Sequence, residues 1–185
     1  MEIRWNGKRE TQRSYLSELL DVVNGTGRRI SAVCALMYQD PRLDQDAHGA
    51  IVWPTQTDKM GRETVVPIAP AVRGALERIL RERSGIGAAP LFPSPNDPGQ
   101  PMTRHLADKW LRQAEKIAGV EPQRGSLRHA YRRKWANERK HLPDIDVAAA
   151  GGWKTAQTLR DFYQQADAET MLRVVLEAGD ELREA

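Results

Sequence analysis

The sequence predicts a mainly α-helical domain with one small antiparallel β-sheet. Three observations lead there. Apolar residues recur at helical spacing along most of the 185 residues. Only two short runs, Ala50 to Trp53 and Thr64 to Ile68, read as strands. Those strands do not alternate with helices, which argues against a doubly wound parallel sheet.

In chain order, a helix is expected from Ser14 to Val23, with Tyr15, Leu16, Leu19, Leu20 and Val23 apolar, broken by Asn24-Gly25-Thr26-Gly27. A second carries Ile30, Val33, Cys34 and Met37 on one face and ends near Asp40-Pro41. The polar stretch Gln56 to Arg62 between the two strands reads as a hairpin turn. Pro70 opens a third helix burying Val72, Leu76, Ile79 and Leu80, with Gly85 beyond its end. Gly85 to Met102 is rich in Gly, Pro and Asn and reads as a loop. Thr103 caps a helix burying Leu106, Trp110, Ala114 and Ile117, and Gly119 follows it. Ser126 caps another with Leu127, Ala130, Tyr131 and Trp135 apolar. A short helix follows Pro143, the next starts at Thr155 or Ala156, and Asp167 caps a last one containing Met171, Val174, Val175 and Leu182.

The bulk numbers bound the function. Hydrophobic residues make up 40% and charged residues 29%, ordinary for a globular protein. No apolar run reaches the length needed to span a bilayer, and Met1 to Arg13 lacks the apolar core of a signal peptide. The lone cysteine, Cys34, sits in an apolar run and has no internal disulfide partner, so a cytoplasmic protein is expected. The net charge of +3 is a weak pointer to nucleic acid, and on composition alone a solvated arginine-rich surface is the better reading.

Several schemes of catalysis lack their residues. There is no phosphate-binding Gly-rich loop and no CxxC; the histidines His48, His105, His129 and His141 have no zinc-protease spacing. Asp144 and Asp146 read as first-turn helix residues. Arginine, lysine, histidine and tyrosine remain, a set suited to metal-free phosphoryl transfer in which cations stabilise charge on phosphorus.

Motifs follow in order. Thr26-Gly27-Arg28-Arg29-Ile30-Ser31 resembles a Thr-Gly-x-Arg-Ile-Ser box. Lys59 to Pro67 is similar to a lysine hairpin ending in Val-Pro. His129-Ala130-Tyr131-Arg132 fits His-x-x-Arg, Gly151-Gly152-Trp153 fits a Gly-His/Trp box, and Tyr163 lies downstream. Together these resemble the catalytic domain of the tyrosine recombinases of the phage integrase family, a DNA breaking-rejoining fold. The resemblance spans nearly the whole chain. It divides the sequence into a linker remnant (1–13), the catalytic domain (14–178) and a tail (179–185).

The resemblance implies roles. Tyr163 attacks a DNA phosphate and forms a 3′-phosphotyrosyl link. Lys59 protonates the leaving 5′ oxygen, Arg29 and Arg132 neutralise the pentavalent centre, His129 assists proton transfer or phosphate binding, and Trp153 supports the pocket, its indole N–H able to hold a phosphate oxygen. It implies no cofactor and no metal. It implies double-stranded DNA as partner, a homo-oligomer (a tetramer) on DNA, and an N-terminal core-binding domain that this chain does not include. Each residue also has an ordinary reading: a surface charge for Arg29, a solvated hairpin tip for Lys59, a structural pair for His129 and Arg132, and core for Trp153 and Tyr163.

Two departures from the family pattern stand out. Tyr163 lies one residue further from Trp153 than usual, with Phe162 in the usual place. Leu127-Arg128-His129 also resembles the family's Leu-Arg-His stretch, which would make Arg128 the second arginine and put Gly125 where the histidine belongs. The His129–Arg132 register fills both motif positions. Two other functions share these features: a DNA-binding protein with a decayed site, and a type IB topoisomerase-like enzyme.

Overall fold

The structure is a computed structural model that describes residues 15–56, 61–83, 85–121 and 129–180. The first helix, α1 (Leu16–Thr26), buries Leu16, Leu19, Val22 and Val23 along one stripe. It outruns its expected end at Val23 because the Thr26 hydroxyl donates to the Val22 carbonyl (2.7 Å). Gly27 then closes it in the left-handed conformation, φ 63°, its N–H donating to Val23 O at 3.1 Å.

The second helix, α2 (Ile30–Cys34), is shorter than its apolar spacing predicts. Met37 keeps the helical spacing but leaves the helix to form an isolated β-bridge with Pro90. The Asp40 carboxylate accepts the Met37 N–H at 2.8 Å, so the chain has turned before Pro41. Cys34 is buried, and burial pushes its thiol up to about 12.

The sheet has three antiparallel strands in the order β1 (Pro41–Arg42), β2 (Ala50–Trp53) and β3 (Thr64–Pro67). Ala50 pairs with Pro67 and Trp53 with Thr64. Pro67 lies at the end of an edge strand, where a missing N–H is tolerated. The two-residue β1 has no sequence signal of its own. Lys59 and most of the expected hairpin turn lie outside the described residues.

Helix α3 (Pro70–Glu82) starts on its proline and lays Val72, Ala75, Leu76 and Ile79 against α1. Arg78 crosses that interface to Asp21 (2.8 Å) and to the buried Glu18 (3.6 Å). The segment between α3 and the next helix is irregular as expected, yet Leu91, Phe92 and Met102 are buried in the main core. Helix α4 (Arg104–Ala118) has the expected caps: Thr103 Oγ1 accepts Leu106 N–H at 3.3 Å, and Gly119 is left-handed. Its buried face is Ala107 and Trp110; Ile117, expected inside, is 61% exposed.

The remaining helices are α5 (Tyr131–Asn137), α6 (Asp144–Gly151), α7 (Ala156–Phe162) and α8 (Ala168–Asp180). The predicted Ser126 cap lies outside the described residues. Thr155 caps α7 by accepting Thr158 N–H at 3.1 Å. On α8, Met171, Val174 and Val175 are exposed to solvent rather than folded back on the domain. Among the described residues, no helix is long and apolar enough to cross a membrane.

Two apolar clusters result. The larger joins α1–α4, the sheet and Tyr131. The smaller holds Trp135, Ala136, Val147, Ala148, Trp153 and Leu159, with Tyr163 packed against it. Trp135 bridges to the end of α1, its indole N–H donating to Gly25 O at 3.2 Å. A Cβ on Gly27 would lie 2.5 Å from the Trp135 ring as well as being strained by its φ. Gly27→Ala is therefore expected to destabilise the domain by about 1–3 kcal/mol. The check is the urea midpoint, and an unchanged midpoint would show that this turn tolerates a side chain.

Candidate active site

Helix α6 ends in a Schellman turn. Gly152 is left-handed (φ 70°), and the Trp153 N–H donates to Ala148 O at 2.9 Å. Such an end leaves carbonyls without helical partners and carries the negative pole of the helix. Three guanidinium groups meet it. Arg28 donates to Ala149 O (2.9 Å) and Ala150 O (2.8 Å). Arg132 donates to Gly151 O (2.9 Å), and Arg29 donates to Gly152 O (3.1 Å). Four consecutive carbonyls are thus met by arginines from the α1–α2 turn and from α5.

Arg132 is 1% exposed. Its Nε donates to Gly27 O at 2.8 Å, which ties α5 to the α1–α2 turn. The preceding Tyr131 hydroxyl donates to Arg28 O in the same turn. The Arg132 guanidinium lies 4.1 Å over the Trp153 ring, and its Nη1 is 3.5 Å from the Tyr163 hydroxyl, at the outer limit of a hydrogen bond. Burial lowers the Arg132 pKa to about 10. The Arg29 and Arg28 charges add to that shift, while Tyr163 and Tyr131 oppose it. Arg132 remains a cation at neutral pH.

Tyr163 is half-buried and follows the last residue of α7. Its ring makes a T-shaped contact with Trp153 at 5.0 Å between centroids, and its carbonyl accepts from Asn137 Nδ2 at 2.9 Å. His129 is exposed, with its ring centred 6.3 Å from that of Tyr163. Phe162, the residue before it, is 68% exposed and is not part of the second core.

The structure therefore brings Arg29, His129, Arg132, Trp153 and Tyr163 together around one turn. Lys59 and the alternative arginine, Arg128, lie outside the described residues. The gathering is partly closed. Trp153 is 0% exposed and its Nε1 is buried without a hydrogen-bond partner among the described residues. Of the gathered residues, His129 is exposed and Tyr163 and Arg29 are half-buried. Arg29 is half-buried and its guanidinium has five donors, of which one serves Gly152 among the described residues. A phenol beside a guanidinium suits attack on an anionic centre, because the charge appearing on its oxygen meets a preorganised cation.

Sequence reasoning missed Arg28. It is 2% exposed, and its guanidinium also lies 4.8 Å over the Trp53 ring. Its one sequence signal is its place beside Arg29 in a motif.

The phage integrase family model matches residues 5–170. Solved structures with the same fold include the XerA recombinase (18% identity, covering 89% of this chain and 56% of that one, TM-score 0.66). Others are the XerH site-specific recombinase bound to a palindromic difH substrate in a post-cleavage complex (20%, 94% and 47%, 0.66) and the Tn1549 transposon integrase with a circular intermediate DNA (16%, 96% and 66%, 0.65). This chain thus spans about half to two-thirds of the length of those chains. No curated protein matches it.

Replacing Arg132 by Met would leave the Gly27 and Gly151 carbonyls buried without their donors, each worth about 1–3 kcal/mol. A drop of that order in unfolding free energy, read by urea denaturation, is the expected outcome. Parent-like stability would show that water serves those carbonyls equally well.

Proposed function

Because the chain belongs to the phage integrase family, we propose that it is the catalytic domain of a site-specific DNA recombinase with Tyr163 as nucleophile. The observation that supports this most is the Tyr163 hydroxyl, 3.5 Å from the Arg132 guanidinium, on a ring that packs against Trp153 and lies 6.3 Å from that of His129, beside the turn that Arg29 holds. In this reading the Tyr163 oxygen attacks the scissile phosphorus, and the bond to the 5′ oxygen breaks. Lys59 gives that oxygen its proton, and His129 assists proton transfer or phosphate binding. Arg29 and Arg132 stabilise the pentavalent charge, and Trp153 supports the pocket. A 5′ hydroxyl from a second strand then attacks the phosphotyrosyl link and releases Tyr163. The covalent link conserves the phosphodiester bond energy, so no nucleotide is consumed.

Double-stranded DNA is the substrate in this reading, bound by a tetramer in the nucleoid, with an N-terminal core-binding domain completing the clamp. The XerH and Tn1549 relatives were solved with DNA, which supports the substrate class. A second reading, a DNA-binding protein with a decayed site, is favoured by one observation. Arg132 and Trp153 are buried, and two Arg132 donors already serve backbone carbonyls.

A nicked suicide duplex separates these readings. The parent is expected to give a covalent adduct in a denaturing gel, mapped to one residue. Tyr163→Phe removes one oxygen and keeps the ring on Trp153, so the adduct is expected to vanish while fold and DNA affinity persist. An adduct with the Phe variant would refute the nucleophile assignment, and no adduct from the parent would favour the decayed site. Arg132→Ala, in this reading, costs on the order of a hundredfold in cleavage rate.

DNA affinity of the isolated domain is expected to fall steeply with salt, because phosphate contacts act through counterion release. A titration at roughly 50 and 200 mM salt checks this. Equal affinity at both concentrations would argue against a phosphate-tracking surface.

A further inference from the structure

We propose that Arg28 is a positioning residue for the reaction at Tyr163: its buried guanidinium ties the C-terminal turn of α6 to the β2–β3 sheet and so holds Trp153 against the nucleophile. The inference rests on the proposed function and concerns a residue that mechanism does not use.

A guanidinium that is 2% exposed must have its donors met, since a buried cation is costly otherwise. Arg28 meets this from two directions. Its Nε and Nη2 reach Ala150 O and Ala149 O, and Nη2 also reaches Thr64 Oγ1 at 3.2 Å. Thr64 pairs with Trp53 across the β2–β3 ladder, and the Trp53 ring lies beneath the guanidinium. One side chain therefore touches both members of the last ladder pair and the end of α6.

The fit to the α6 turn is close. A Cβ on Gly152 would lie 2.6 Å from Arg28 Nη1 and 2.9 Å from its Cδ. Gly152 is also the residue whose carbonyl Arg29 holds, and the next residue is Trp153, which meets the Tyr163 ring in a T-shaped contact. Loss of the Arg28 fork frees this turn on its sheet side while Arg29 and Arg132 still hold its other carbonyls. The expected result is a loosened Trp153 and a misdirected Tyr163, with the rest of the domain unchanged. Lysine cannot replace the fork. Its single ammonium keeps the charge at the helix end without the planar geometry that serves three acceptors at once.

The test uses the full chain with Arg28→Lys, and with Thr64→Val, which removes the hydroxyl that accepts from Arg28. The first readout needs no activity: hydrogen exchange at the indole N–H of Trp153, with Trp110 in the main core as reference. Positioning predicts exchange about tenfold faster at Trp153 and little changed at Trp110 in Arg28→Lys. Equal acceleration at both indoles, or none at either, would overturn it. The second readout is single-turnover adduct formation at saturating DNA. The rate constant is expected to fall about tenfold with DNA affinity unchanged, since a geometric role moves the rate and not the binding. Parent-like rates, or loss of affinity with the rate retained, would sink the idea. Thr64→Val should move both readouts the same way by a smaller factor, and it decides the matter alone if Arg28→Lys does not fold. If the parent itself forms no adduct, the proposed function falls, while exchange at Trp153 still decides whether Arg28 holds the turn.

Discussion

The C-terminal turn of α6 is the point on which the candidate site depends. A helix end presents carbonyls that its own turns cannot satisfy, and burying them without donors is costly. Here the donors are arginines, and cations also suit the negative pole of the helix. Arg28 and Arg29 arrive from the turn after α1, and Arg132 arrives from α5. Segments more than a hundred residues apart are thereby fixed to one another. The clustering of three like charges is tolerable because each faces backbone oxygen, and burial still lowers the pKa of Arg132.

That arrangement gives neighbouring arginines unlike duties. Arg132 joins Gly27 to Gly151 and keeps one nitrogen toward the Tyr163 hydroxyl. Arg29 stands half-exposed at the rim with donors to offer an anion. The buried Trp153, stacked on Trp135 at 5.9 Å, forms the wall behind the tyrosine. Tyr163 sits at the C-terminal end of α7. The helix stops at Phe162, that ring faces solvent, and the next residue turns onto Trp153.

Legibility in the sequence followed how local each cause was. Thr103, Gly119, Thr155 and Pro70 mark helix ends through their own backbone chemistry, and those ends fall where expected. The end of α2 was hidden, because Met37 keeps the apolar spacing while its partner, Pro90, lies in a distant irregular segment. Ile117 has helical spacing too, yet it is exposed, with no element among the described residues covering it. Within the site, side chains in ordered motifs were visible. Arg28 was not, because two of its partners are the carbonyls of Ala149 and Ala150, and a backbone oxygen leaves no trace in residue identity.

The division into two cores bears on cooperativity. The second core is small, with six buried side chains. Much of what fastens it to the first is polar: the Arg28 fork, the Arg132 bridge and the Trp135 indole bond. Urea solvates peptide groups directly and so competes for such carbonyl bonds as well as for apolar burial. Helices α6 and α7 therefore form the natural first unit to detach, taking Tyr163 with them while α1, α3 and the sheet persist. Local opening below the global transition is then expected first around the site, whose fastening to the main core is the more easily lost.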